Sequence, residues 1–110
     1  RLGVCVTKVN GDSVAVATQV QTASCRLVLV DGGHVGSQPY SDLCLYAEKV
    51  CVGGYLLVDD IANGHPDVTH GLVKWLASAR GFTHDALFSF PETCSATHWL
   101  SKLCSFRREA

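Results

Sequence analysis

A chain of 110 residues, 47% hydrophobic and 17% charged, is long enough for one domain with a packed core and too short for two. Its formal net charge is -1, and its nine Lys and Arg are scattered apart from Arg107 and Arg108, so no basic field exists to make nucleic acid a main partner. No apolar run reaches the roughly 20 residues that a bilayer span needs, and no signal-peptide pattern stands in the first residues, so no membrane partner and a cytoplasmic location are expected.

Taken in chain order, LGVCVTKV (Leu2 to Val9) is β-branched and partly alternating and predicts a strand over residues 2 to 9. NGDS follows as a turn in which Asp12 or Ser13 can cap a helix, and Val14 to Thr22 predicts that short helix. LVLVDGGH (Leu27 to His34) and GGYLLVDDI (Gly53 to Ile61) each carry four apolar residues without polar alternation, the pattern of parallel strands covered on both faces. They predict strands over residues 26 to 31 and 55 to 59. Between them, Leu43, Tyr46, Ala47 and Val50 fall at helical spacing, and Gly53 with Gly54 would end that helix and turn the chain into the next strand. Pro66 suits a first helical turn, and Val68, Leu72, Leu76 and Ala79 lie on one face of the helix that follows. Ala86 to Phe90 and Thr97 to Leu103 predict a closing antiparallel pair of strands over residues 86 to 90 and 97 to 103. The fold class is α/β, a mostly parallel sheet flanked by helices. Six cysteines without any CxxC spacing read as reduced, buried thiols and not as zinc ligands.

Both apolar runs end in carboxylates. A strand, helix, strand unit returns the chain to the same starting edge, so its strands are parallel and Asp31, Asp59 and Asp60 meet at one edge, within roughly 10 Å of each other. Ligands of open α/β sheets bind in the crevice outside the carboxyl ends of the strands. Adjacent carboxylates such as Asp59 and Asp60 repel and call for solvent or a cation. Asp31 also reads as a residue that ends a strand and caps the next helix. His34 reads either as a general base that takes a hydroxyl proton or as a turn histidine bonded to backbone. His65, His70, His84 and His98 read as surface or core residues, Asp42 as a partner within its own helix's first turn, and Trp75 and Trp99 as core or rim aromatics.

The order GDS, VLVDGGH, a helix carrying Asp42, then VGGYLLVDDI resembles the C-terminal half of a class I S-adenosylmethionine-dependent methyltransferase. It is most similar to the small-molecule group with the signature GDS, DGDH, GG, DD, over residues 4 to 80, with the tail fitting the last two strands more loosely. The resemblance implies a partial Rossmann-like methyltransferase fold and a small-molecule methyl acceptor, with O-methylation as the reaction. It puts Asp12 and Ser13 near the adenine of the cofactor and Asp31 beside the methyl-donor end. His34 would face the pocket as a catalytic residue with Asp31, and Asp59 and Asp60 would lie on the substrate side. Related O-methyltransferases hold a divalent metal on acids at these strand ends, which implies magnesium (Mg2+) on Asp31, Asp59 and Asp60. Gly33 stands where the pattern has a second acid.

The family's glycine-rich cofactor loop belongs to an N-terminal half, and Gly32 with Gly33 is no substitute for it. The start at Arg1 and the absence of Met suggest an excised or incomplete chain, so the expectation is weak cofactor binding and no activity in isolation. A non-catalytic remnant serving as a structural or interaction module is the alternative. A receiver domain is disfavoured because the single Asp precedes the pair, and a nicotinamide-binding domain because the glycine fingerprint is missing.

Overall fold

Two Val- and Leu-rich segments lie side by side and parallel, as their apolar runs predict: β1 (Cys25–Val30) and β2 (Val50–Val58) pair from Leu27↔Tyr55 to Val30↔Val58. The computed structural model describes residues 6–61, 65–89, 94–95, 98–99 and 102–110. The crossover between the strands is α2 (Gln38–Ala47), and α3 (Pro66–Ser78) follows β2. The sheet continues through the short β3 (Phe82–His84) and the last strand, so that its order is β1, β2, β6, β3, where β6 is Cys104–Arg108. Because β6 is antiparallel to both β2 and β3, the other three strands run in one direction. The mixed sheet with its helices is compatible with a partial methyltransferase fold. A separate two-stranded sheet joins β4 (Cys94–Ser95) to β5 (His98–Trp99).

Alternation along the strands decides where the core sits. Val28 and Val30, Leu56 and Val58, and Cys104 and Phe106 share one face, and Leu43, Ala47, Val68, Leu72 and Trp75 of α2 and α3 cover it. The two helices approach closely at Gly71, where a Cβ would stand 2.9 Å from the Tyr40 backbone nitrogen. The opposite face is not covered in the same way: Leu27 and Leu29 are 54% and 55% exposed, so β1 departs from the strand buried on both faces that its sequence suggests.

Several expectations are corrected by this topology. Residues 6–9 form no strand and Val6 and Val9 are exposed, without a neighbouring strand to supply ladder partners among the described residues; the rest of the strand expected over residues 2 to 9 lies outside them. The first helix is shorter than expected, α1 (Ser13–Val16) followed by a 3₁₀ turn at Ala17–Gln19, because its β-branched residues propagate a helix poorly. Val50, Gly53 and Gly54 belong to β2 and not to a helix end. Cys25 pairs with Val50, and β2 then advances five residues to Tyr55 while β1 advances two to Leu27; Gly53, at φ 84°, makes the irregularity possible.

At the C-terminal end, residues 86–89 are not a strand. The Asp85 carboxylate accepts from the backbone N–H groups of Leu87 and Phe88, both at 2.9 Å, and folds the chain into a turn. Ser105 Oγ donates to the same carboxylate at 2.9 Å, and Ser89 Oγ lies 3.0 Å from Ser105 Oγ. The antiparallel pair is instead built by Phe82–His84 and Cys104–Arg108. Phe90 and residues 97, 100 and 101 lie outside the described residues. The expectation of six reduced, buried thiols is also corrected: Cys94 and Cys104 form a disulfide with Cα atoms 5.7 Å apart, while Cys25, Cys44 and Cys51 are free but not buried, Cys44 being exposed, and Cys5 lies outside the described residues. Two buried cysteines on neighbouring segments need no CxxC spacing to meet.

Burial pushes the Asp85 carboxyl up, but the backbone donors, the Ser105 hydroxyl and the Arg107 charge together bring it below its ordinary 3.8. A lowered carboxyl contributes stability that is complete above its ordinary value and is lost as pH falls through the folded value. Urea unfolding from about pH 3 to pH 6 should therefore show a steeper acid-side loss in the wild type than in Asp85→Asn. Ser105→Ala should cost about 1–3 kcal/mol at neutral pH by leaving buried partners unmatched. The disulfide spans a sequence separation of 10, and its reduction should lower stability by about 2–3 kcal/mol in thermal unfolding with and without reductant.

Candidate functional site

The parallel ladder runs to the ends of both strands and carries acid past each. Asp59 N–H donates to Val30 O at 3.2 Å, which sets Asp59 beside Asp31 at the carboxyl edge. Asp60 then takes a left-handed backbone, φ 63°, which an aspartate tolerates better than most residues. Its N–H donates to Asp59 Oδ1 at 2.9 Å, and Ile61 N–H donates to Lys102 O at 3.0 Å, so the turn is pinned from both sides. One carboxylate oxygen from each of Asp31, Asp59 and Asp60 lies within 4.8 Å of the others.

His34 closes over this edge from the loop after β1. Its Nε2 is 3.0 Å from Asp60 Oδ2 but off the direction of a hydrogen bond, and it has no hydrogen-bond partner among the described residues. The ring stacks on His65 with centroids 4.1 Å apart. Lys102 Nζ lies 3.8 Å from the other Asp60 oxygen, Oδ1.

These contacts separate the two carboxyls electrostatically. Desolvation first, then the hydrogen bond to Asp60 and the charges of Asp59 and Asp60, raise the Asp31 carboxyl above 3.8, against the pull of His34. For Asp60, desolvation acts upward, but the Asp31 hydrogen bond with Lys102, His34 and His65 brings it below 3.8. The two carboxyls are thus shifted in opposite directions, and Asp31 is the one of the pair that takes up a proton first as pH falls.

A cavity of about 260 Å³ adjoins this cluster, bounded by Ser13, Leu29, Val30, Asp31, Asp42 and Tyr46 among others. Its far wall is built by α1 against α2. Ser13 Oγ donates to Asp42 Oδ1 at 2.5 Å, Gln38 Nε2 donates to the same oxygen at 2.9 Å, and Tyr46 Oη donates to Ser13 O at 2.6 Å. Burial, then the charges of Asp42 and Asp12, raise the Tyr46 phenol and keep it a donor. Asp42 thus bonds across to the GDS turn as well as within its own helix. Asp12 does not line the cavity; its carboxylate accepts from Val14 N–H at 2.8 Å and caps α1. Gly33 has little room for the acid the signature pattern carries, since a Cβ there would lie 2.7 Å from Gln38 Cγ.

The structure thus brings Asp31, His34, Asp59 and Asp60 to one edge and Ser13 to the adjoining cavity. Sequence reasoning passed over His65, Lys102, Gln38 and Tyr46. For His65 a signal was present: it stands five residues after Asp60 and directly before the helix-starting Pro66, so a short loop must return it to the strand end.

Residues 1–61 match a family model described as a methyltransferase domain, a span that includes Asp12, Ser13, Asp31, His34, Asp59 and Asp60. No curated protein matches the chain.

A raised carboxyl favours the fold fully below its ordinary value and loses that contribution as pH rises through the folded value. In metal-free protein, Asp31→Asn should therefore raise stability at neutral pH by about 1 kcal/mol or less, since screening is strong at this exposed position. The gain should vanish in acid. Unfolding in the presence of chelator checks both, and a loss of stability at neutral pH would contradict the upward shift of the Asp31 carboxyl.

Proposed function

The chain belongs to the methyltransferase domain family, and on that premise we propose that it serves the S-adenosylmethionine-dependent transfer of a methyl group to an oxygen of a small-molecule acceptor. The observation that carries this reading is the convergence of Asp31, His34, Asp59 and Asp60 at the carboxyl ends of two parallel strands, next to a cavity that Asp31 shares. Strand ends of this kind are where open α/β sheets receive ligands.

The cofactor supplies an electrophilic methyl group on a sulfonium. In the transfer, the carbon–sulfur bond breaks as the carbon–oxygen bond forms, and the acceptor's hydroxyl proton must leave. His34 is the base that takes it, and the Asp60 carboxylate 3.0 Å away stabilises the imidazolium that results. Asp31 and Ser13 both line the cavity, and there Asp31 would meet the methyl-donor part of the cofactor and Ser13 its adenosine, with Asp12 holding the turn that presents Ser13. The oxygen-only donor set of Asp31, Asp59 and Asp60 fits a hard cation such as Mg2+, whose charge would offset the clustered carboxylates and help orient acceptor oxygens.

A second reading, a non-catalytic module of the same fold, is favoured by the exposed Leu27 and Leu29 on β1, which offer surface for pairing and not for chemistry. A longer protein containing this chain, with a glycine-rich loop of its own, distinguishes the two. On the enzyme reading it binds S-adenosylmethionine in calorimetric titration, His34→Ala lowers turnover about a hundredfold or more, and the acid limb of its pH–rate profile flattens. Asp31→Ala should lower turnover as well. Turnover untouched by both substitutions, or no cofactor binding at all, would hand the case to the module reading.

A further inference from the structure

We propose that His34, Asp60 and His65 form a binding site for one divalent transition-metal ion of the zinc class, which shares Asp60 with the oxygen-only set of Asp31, Asp59 and Asp60 but differs from it in its two imidazoles. One donor atom of each of the three side chains lies within 4.8 Å of the other two. His34 Nε2 is buried and lacks a hydrogen-bond partner among the described residues, although an Asp60 oxygen is only 3.0 Å away. At that distance the pair still does not meet hydrogen-bond geometry, so the nitrogen's bonding capacity is unused among the described residues.

Two imidazoles and one carboxylate are a donor set for zinc and its neighbours and a poor one for magnesium, which takes oxygen. Three protein ligands leave a fourth position for water or another small ligand. Bonds of about 2.0–2.1 Å put tetrahedral donor atoms roughly 3.3 Å apart, against 3.0 Å between His34 Nε2 and Asp60 Oδ2 and no more than 4.8 Å for the set. His65 precedes α3, whose dipole disfavours a cation, and Asp67 in the helix's first turn with the carboxylates of Asp31, Asp59 and Asp60 places negative charge against it. Lys102 engages Asp60 Oδ1 and leaves Oδ2 toward His34.

The site rests on this geometry and not on methyl transfer, although an ion here would occupy His34 and so remove it as a base. The test is titration of the tag-free chain with Co2+, followed by visible absorption and by calorimetry, with Mg2+ titrated separately. The expected result is one Co2+ per chain with nitrogen and oxygen ligation, lacking the thiolate charge-transfer band that Cys25, Cys44 or Cys51 would produce. His65→Ala should weaken Co2+ roughly tenfold or more, as loss of one of three ligands requires. Asp31→Asn should weaken Mg2+ more than Co2+, because Asp31 is a ligand of the oxygen-only set and touches the Co2+ site only through Asp60. His65→Asn, with circular dichroism on every variant, separates loss of the ligand from loss of the fold. Equal Co2+ affinity in wild type and both His65 variants, a thiolate band, or no Co2+ binding would overturn the proposal, and none of these outcomes bears on cofactor binding or turnover.

Discussion

The site depends on β1 and β2 staying in parallel register to their last residues. Val30 pairs with Val58, and the next bond, from Asp59 N–H to Val30 O, is what brings two acidic strand ends together. A slip of β1 by one residue would turn Val28 and Val30 away from α2 and α3 and move their burial to the uncovered face. The helices therefore protect the register through the core. At the opposite end the irregularity around Gly53 absorbs the mismatch between five residues of β2 and two of β1, so it never reaches the carboxyl edge.

Bringing three carboxylates to one edge creates a charge problem, and the surrounding groups answer it. The Asp31 carboxyl is shifted up, and the Asp60 carboxyl is shifted down in the company of Lys102, His34 and His65. The left-handed backbone of Asp60 belongs to the same solution. It turns the chain so that the Asp60 side chain faces His34 and Lys102 while its own N–H caps Asp59. An arrangement that concentrates negative charge and then meets it with two imidazoles and an ammonium is one in which a cation can replace a side chain at little electrostatic cost.

What the sequence made legible was what short-range pattern encodes. Unbroken apolar runs ending in acid marked two parallel strands, and their pairing follows from the crossover between them. The helix from Pro66 was equally plain, because Val68 and Leu72 repeat at helical spacing and Trp75 continues the same stripe. Misreadings came where a distant partner overrides local preference. Val50 looked helical until Cys25 offered it a strand partner, and Ala86 to Ser89 looked extended until Asp85 drew the Leu87 and Phe88 amides into a turn. The disulfide and the closing strand at Cys104 depend on the same kind of long-range contact. His65 was passed over because a single histidine carries no periodicity; only the fold returns it to His34.

The cavity and the acidic edge are mechanically one object. Asp42 holds Ser13 and Gln38 through one carboxylate oxygen, and a Cβ on Gly32 would stand 2.7 Å from its other oxygen. The loop that carries Asp31 into His34 is thus confined between α2 on one side and the Asp59–Asp60 turn on the other, with Asp67 of α3 accepting from Gly36 N–H at 2.7 Å to close its end. Asp31 belongs to both cavity and edge, since it lines the cavity and its carboxyl bonds to Asp60, so a charge or hydrogen-bonding group placed in the cavity beside Asp31 acts on the acidic edge through that one side chain.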